Sequence, residues 1–267
     1  MSIYVVSDLH GASAELPQAV PEGSTLLLLG DLINLLDYIT MTGILTEVFS
    51  VDAVAEVVKL RTAGLVEDAR AVMRKRSEGR EDEIRTSIAT KVTAQYEEVF
   101  AALPDPTYLI LGNVDNPVVA QRFVAETPSV QMADGAAIDL EGERFGFVGG
   151  ALPTPLGVPG EITEAEMRSK IESLGEVDVL CSHIPPAIPE LCFDTLAGKS
   201  ERGSEDLLQY IRDVQPRRAY FGHVHQPLLS CVSVGRTLCV NVGYFRGTKR
   251  AWRHETQSQE REGTRHG

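Results

Sequence analysis

Five short apolar runs in this chain each end in a residue able to hold a cation. Residues 3–6 lead into Ser7-Asp8-Leu9-His10-Gly11, and residues 26–29 into Gly30-Asp31. Residues 108–111 lead into Gly112-Asn113-Val114-Asp115, residues 177–181 into Ser182-His183, and residues 219–221 into Gly222-His223-Val224-His225. Apolar runs of this length, bounded by Gly and polar residues, fit strands buried on both faces. In open α/β sheets ligands bind outside the carboxyl ends of the strands. A chain that repeats the pattern five times is therefore constrained to build a sheet with one polar, donor-rich edge.

The rest of the chain supports an α/β architecture. Residues 145–148 form another apolar run, and runs 228–234 and 237–242 flank Gly235-Arg236, a hairpin turn. Helical patterns cover 163–174 and 204–214. Thr163 with Glu166, and Ser204 with Glu205 and Asp206 behind it, mark their starts. Strands alternating with helices argue for α/β layers. Residues 44–103 differ: the segment is long, charged and poor in strand formers. Leu45, Val48, Phe49, Val54, Val57, Val58 and Arg61 keep near-helical spacing, and Ser77-Glu78-Gly79-Arg80 breaks the pattern. The expectation is a helical insertion in the form of a hairpin. It would either cover a sheet face or serve as a lid or homodimer contact. The polar segment 248–267 is expected to fray, leaving residues 1–247 as one domain.

Bulk properties narrow the partners. A net charge of −13 over 267 residues disfavours nonspecific binding to nucleic acid or an anionic membrane surface. It is compatible with a small phosphorylated substrate, because bound metal inverts the local field. Apolar stretches such as 26–29 are too short to cross a bilayer, and the first residues lack a secretory pattern. Cys181, Cys192, Cys231 and Cys239 form no C-x-x-C pair, as expected for reduced thiols in the cytoplasm.

Taken singly, D-x-H, Gly-Asp or a lone His is an ordinary turn. Together the strand ends offer two carboxylates, an amide and four imidazoles. Such a set suits Zn, Mn or Fe rather than Ca. Seven donors exceed what one four-coordinate ion takes, and they suit two ions sharing a bridging carboxylate.

The order D-x-H, G-D, G-N-x-D, S-H, G-H-x-H resembles that of the calcineurin-like metallophosphoesterase superfamily. The resemblance spans Asp8 to His225. Ser182-His183-Ile184-Pro185-Pro186 also looks like the superfamily's S-H-x-P-P, and Asn241-Val242-Gly243 like its N-P-G. The resemblance implies two packed mixed β-sheets flanked by helices, with two divalent transition metals (Mn, Fe or Zn) at the strand ends. One metal would take Asp8, His10, Asp31 and His225, the other Asp31, Asn113, His183 and His223. Asn113 would bind the cation, and with it the substrate, without adding negative charge. A metal-bridging hydroxide, rather than a protein nucleophile, would hydrolyse a small phosphoester.

This sequence departs from the commoner G-N-H-[DE], in which the His is placed to protonate the leaving alcohol. Val114 stands there and cannot donate a proton, so the chain resembles the small cytoplasmic phosphodiesterases. A phosphomonoesterase or nucleotidase is the alternative. The G-D-x-x-D-R-G block of protein Ser/Thr phosphatases is absent after Asp31. A non-catalytic scaffold, like the retromer subunit of this fold, would have a degenerate donor set, whereas all seven are intact here. Without a histidine to orient, Asp115 is expected to cap the helix that follows Pro117, with a supporting role behind the metal ligands as the alternative.

Overall fold

The computed structural model describes residues 1–37, 40–155 and 157–257. Along the chain, β1 (Ile3–Val6) leads through α1 (Leu16–Ala19) to β2 (Thr25–Leu29). The insertion follows as α2 (Ile44–Val48), α3 (Val51–Thr62), α4 (Val66–Ser77) and α5 (Glu81–Ala102). Next come β3 (Thr107–Ile110), α6 (Pro117–Glu126), β4 (Val130–Met132), β5 (Ala137–Leu140) and β6 (Glu143–Val148). The second half continues with α7 (Glu164–Leu174), β7 (Val179–Ser182), α8 (Pro189–Cys192), β8 (Phe193–Asp194), β9 (Lys199–Ser200) and α9 (Glu205–Val214). It closes with β10 (Arg218–Phe221), β11 (Cys231–Val234), β12 (Thr237–Asn241), α10 (Phe245–Thr248) and β13 (Trp252–His254).

Two mixed sheets result. One has the order β13-β1-β2-β3-β4, and the other β11-β12-β10-β7-β6-β5. The strands that carry the donors run parallel to one another within each sheet, β1, β2 and β3 in the first and β7 and β10 in the second. Side chains alternate faces along a strand, and this chain uses both faces. Val5, Leu27, Leu29 and Ile110 meet Phe145, Phe147, Val179 and Tyr220 between the sheets. The other residues of the first sheet, such as Val6, Leu26 and Leu28, pack under Tyr96, Val99 and Phe100 of α5 and Ala120 of α6. Those of the second, such as Leu180 and Phe221, pack under Met167 and Ile171 of α7 and Leu207 and Ile211 of α9. This is the expected α/β/β/α sandwich.

Three local expectations change. The run 228–234 begins its strand only at Cys231. Leu228 and Leu229 are largely exposed, and their N–H groups donate to Phe193 O at 3.0 Å and Glu190 O at 3.1 Å instead of to a ladder. The 44–103 insertion holds four helices rather than one hairpin, because Gly64 at φ +76° turns the chain between α3 and α4. Of these, α5 covers the sheet, while α3 and α4 pack on each other and bury Ala53, Val54 and Ala69. The segment after Thr248 does not simply fray, since β13 pairs antiparallel with β1. Its His254 is buried and faces Glu143 Oε2 at 2.9 Å and Tyr220 Oη at 3.0 Å. Residues 258–267 lie outside the described residues. No helix among the described residues is long and apolar enough to cross a membrane.

Candidate metal centre

The loops that leave β1, β2, β3, β7 and β10 converge, and they bring all seven sequence-predicted donors to one place. Asp8, His10 and His225 form one group and Asp31, His183 and His223 another; within each group the donor atoms lie within 4.8 Å of one another. Asn113 Oδ1 stands 3.0 Å from His183 Nε2 and 2.9 Å from His223 Nδ1. Asp31 lies between the groups. Its Oδ2 is 3.6 Å from His10 Nε2 and its Oδ1 is 3.6 Å from His183 Nε2.

The backbone holds these side chains in conformations that L-residues seldom adopt. Asp8, His10, Asp31 and His223 have φ of 55°, 41°, 54° and 67°. Such left-handed residues persist only where their surroundings impose them, and they cluster at functional sites. Here the imposing contacts are explicit. Asp8 N donates to Gly30 O at 3.1 Å, and His10 N to Asp31 O at 2.8 Å. His223 N donates to Asp8 Oδ2 at 2.8 Å. Packing is tight enough to demand glycine behind two of the donors. A Cβ on Gly112 would overlap Asp31 Oδ1 and come 2.6 Å from His183 Cε1, and one on Gly222 would overlap Asp8 Oδ2.

The N-V-G stretch buttresses the H-x-H turn. Asn241 Nδ2 donates to Gly222 O at 3.3 Å and to Val224 O at 2.9 Å, and its Oδ1 accepts from Gly243 N at 2.9 Å. His183 Nδ1 lies 2.8 Å from Leu29 O. A ring that donates there keeps its Nε2 lone pair free, facing the other donors.

Burial sets the electrostatics. It pushes the Asp8 carboxyl well above its ordinary range, with Asp31 adding repulsion. It raises Asp31 to about 7. The imidazoles move the opposite way. Burial, with neighbouring imidazoles and Arg246 adding to it, lowers His10 well below its usual value, and burial with its imidazole neighbours does the same to His223. Burial lowers His183 and His225 to about 4. The rings are therefore neutral donors, and the buried carboxylates lack a compensating charge, which is costly. Asp8 Oδ1 is moreover buried without a hydrogen-bond partner, although it faces His225 Nε2 at 3.7 Å and His10 Nε2 at 4.0 Å. Neutral nitrogen donors and a buried carboxylate oxygen without a hydrogen-bond partner, gathered in one cavity, fit divalent transition metals.

Asp115 is not the helix cap. That role belongs to Asn116, whose side chain accepts from Val119 N. Asp115 is fully buried. It accepts from Gly112 N at 2.8 Å, Asp31 N at 2.9 Å, Leu32 N at 3.0 Å and the Tyr96 hydroxyl at 3.2 Å. It thus clamps the loop carrying Asp31 to the loop carrying Asn113. This explains why the exit of β3 carries a carboxylate two residues after the amide. Sequence reasoning also missed Tyr96, which accepts from Asn116 N at 2.8 Å while serving Asp115. It missed Tyr244, whose ring stacks on His225 at 4.0 Å and 8°. It missed Arg246, which donates to His10 O at 2.6 Å. Tyr244 directly follows the N-V-G stretch, and that position was the one available signal.

No curated protein sequence matches the chain. One solved crystal structure aligns over 95% of this chain and 98% of its own, with a TM-score of 0.58 at 15% identity, a likeness of fold. The purple acid phosphatase PPD1 from yellow lupin (Lupinus luteus) seeds aligns over 96% of this chain and 46% of its own, with a TM-score of 0.40 at 14% identity. The sequence profile of the calcineurin-like phosphoesterases matches residues 1–227, and the chain therefore belongs to that family of metal-dependent phosphoester hydrolases.

Proposed function

We propose that this chain is a binuclear-metal phosphodiesterase acting on small phosphoesters in the cytoplasm. The observation that carries the binuclear reading is Asp31, which turns one carboxylate oxygen toward each of two donor groups. Asp8, His10 and His225 would hold one ion with Asp31, and Asn113, His183 and His223 would hold the other. Two bound dications of the Mn, Fe or Zn class would supply Lewis acidity and an activated water. The chain's own residues supply the rest. The Val114 N–H, which donates to Asp31 Oδ1 at 3.0 Å, keeps the shared carboxylate from rotating, and Asp115 fixes the Asp31 backbone by accepting its N–H. Asn113 adds a donor without adding to the repulsion felt by a phosphate.

The preference for diesters rests on Val114. Hydrolysis joins a water oxygen to phosphorus and breaks an ester P–O bond, and the departing oxygen must gain a proton or carry its charge away. Val114 lines the cavity beside Asn113 and His223, where an imidazole would otherwise stand ready to give that proton. General acid assistance is worth roughly 10²–10⁴-fold. A diester carries one negative charge fewer than a monoester, and with a good leaving group it departs unassisted. The four free cysteines suit a reducing compartment.

The test is metal analysis joined to turnover. Wild type should retain close to two transition ions per chain and cleave an aryl diester, while Asp31→Ala should disturb both ions. His183→Ala should mainly release the ion held with Asn113. A purified protein that holds no transition metal and gains no activity with Mn would overturn the reading.

A further inference from the structure

A second cavity, of about 260 Å³, opens directly from the metal centre. It shares Leu36, Asn113, Val114, Glu201 and His223 with the depression over the donors. Its outer wall comes from the insertion: Phe49 after α2, Val54, Val57 and Val58 of α3, and Met73 of α4. The facing wall comes from the loop after β6, including Ala151, Val158 and Pro159. The walls approach closely, since the Arg61 guanidinium of α3 lies 3.5 Å from where a Cβ on Gly157 would stand.

Part of this lining is not spent on core packing: Val57, Val58 and Met73 belong to none of the three hydrophobic cores. The apolar face of α5 is consumed by the sheet, through Tyr96, Val99 and Phe100. Val57, Val58 and Met73 are only half-buried and turn their apolar surface to the cavity, where water contact is unfavourable. The polar groups of the facing wall are withdrawn, because Glu161 accepts from Thr154 N at 3.0 Å and also from its hydroxyl. An apolar cavity with polar groups gathered at one end orients a ligand by that end. Here Asn113, Glu201 and His223 make that end, at the phosphate site, and the Arg61 guanidinium adds a cation where the walls meet at Gly157.

We propose that this cleft takes the alkyl or acyl chain of an amphiphilic phosphoester, with the phosphate over the metal centre and Val114 beneath the first carbons. The proposal rests on the phosphoesterase reading and names its substrate class. Val114 then has a positive role: it continues the aliphatic wall up to the phosphate. The first part of the insertion, from α2 to α4, is a wall of the substrate site, while α5 covers the sheet.

Two homologous series test this on the Mn-loaded full chain, below micelle-forming concentrations. The first is p-nitrophenyl alkyl phosphates from methyl to octyl, read as kcat/KM. The second is alkylphosphonic acids of the same lengths, whose carbon–phosphorus bond is not cleaved, read by calorimetric titration. Full burial of a methylene is worth about fourfold, so each added carbon should raise kcat/KM and lower Kd by two- to fourfold until the cleft is filled. Binding should also show a heat-capacity change that grows more negative with length. Val58→Asp should flatten both slopes, and Val58→Ser, a gentler change in a half-buried position, should reduce them.

A flat wild-type slope with measurable turnover of the methyl ester would overturn the cleft assignment and leave the phosphodiesterase reading standing. If no ester is cleaved, that reading fails, and the phosphonate series still decides the cleft. A nucleoside phosphonate that outbinds octylphosphonate would also overturn the assignment, as would a dimer in solution that Val58→Asp dissociates.

Discussion

Asp115→Asn separates two roles for this carboxylate that a sequence cannot distinguish. If Asp115 capped α6, asparagine would be a neutral change, because Asn caps as well as Asp. The structure makes it a clamp. Its Oδ2 accepts from Gly112 N and Asp31 N, and its Oδ1 from Leu32 N and the Tyr96 hydroxyl. The least disruptive amide would put its nitrogen at the Oδ1 position, where the Tyr96 hydroxyl can turn to accept. The Leu32 N–H would then face a donor and lose its partner, at a cost of about 1–3 kcal/mol. The other bonds would lose charge assistance, each by roughly 1 kcal/mol. Against this, the mutation relieves a buried charge, because burial and then Asp31 push the Asp115 carboxyl up to about 6. A net loss of about 2–4 kcal/mol is expected, a large part of the roughly 5–15 kcal/mol a domain has. Groups that orient metal ligands are worth about 10–100-fold in affinity. Urea unfolding of the metal-free protein near pH 8, with Mn affinity measured by chelator competition, reads both quantities. Stability within about 0.5 kcal/mol of wild type and unchanged Mn affinity would refute the clamp.

Gly112→Ala should fold but misplace Asp31 and His183, since a Cβ there overlaps Asp31 Oδ1; a displacement near 1 Å costs on the order of 10²-fold in turnover, and activity within threefold of wild type would count against the packing argument. Val114→His should shift preference toward alkyl monoesters relative to aryl diesters, measured as a ratio with metal content matched, whereas a wild type that already prefers alkyl monoesters would remove the basis for the diester assignment. The Glu143 cluster sets an acid-side dependence: burial pushes this carboxyl up, but hydrogen bonds from His254 and Arg217 outweigh it and hold the group below its ordinary value. A depressed carboxylate contributes stability that is present above the unfolded-state pKa and is lost as pH falls through the lower folded value. Wild type should therefore lose stability more steeply than Glu143→Gln from about pH 4.5 downward, and superimposable unfolding curves would show that the cluster contributes nothing.

The sequence by itself determined the five donor-bearing strands and their polar ends. Burial on both faces writes a continuous apolar run, and a turn at the sheet edge writes Gly followed by Asp, Asn or His. Both signals are local, so Asp8, Asp31, Asn113, His183 and His223 could be named before their neighbours were known. The starts of α7 and α9 were legible for the same reason, because a cap lies within three residues of the N–H it serves. What depended on distant partners was not legible. The clamp joins Asp115 to N–H groups 83 and 84 residues earlier, whereas its sequence neighbours suggested a cap. The edge strand β13, Trp252-Arg253-His254, is too short to read as a strand by sequence, and it becomes one because β1 offers an unpaired edge and Glu143 with Tyr220 receives His254. The insertion shows helical spacing, but amphipathic period says only that a face is apolar, not what it meets. The tertiary structure decided that, by giving the face of α5 to the sheet and leaving the faces of α3 and α4 on a cleft beside the metal donors.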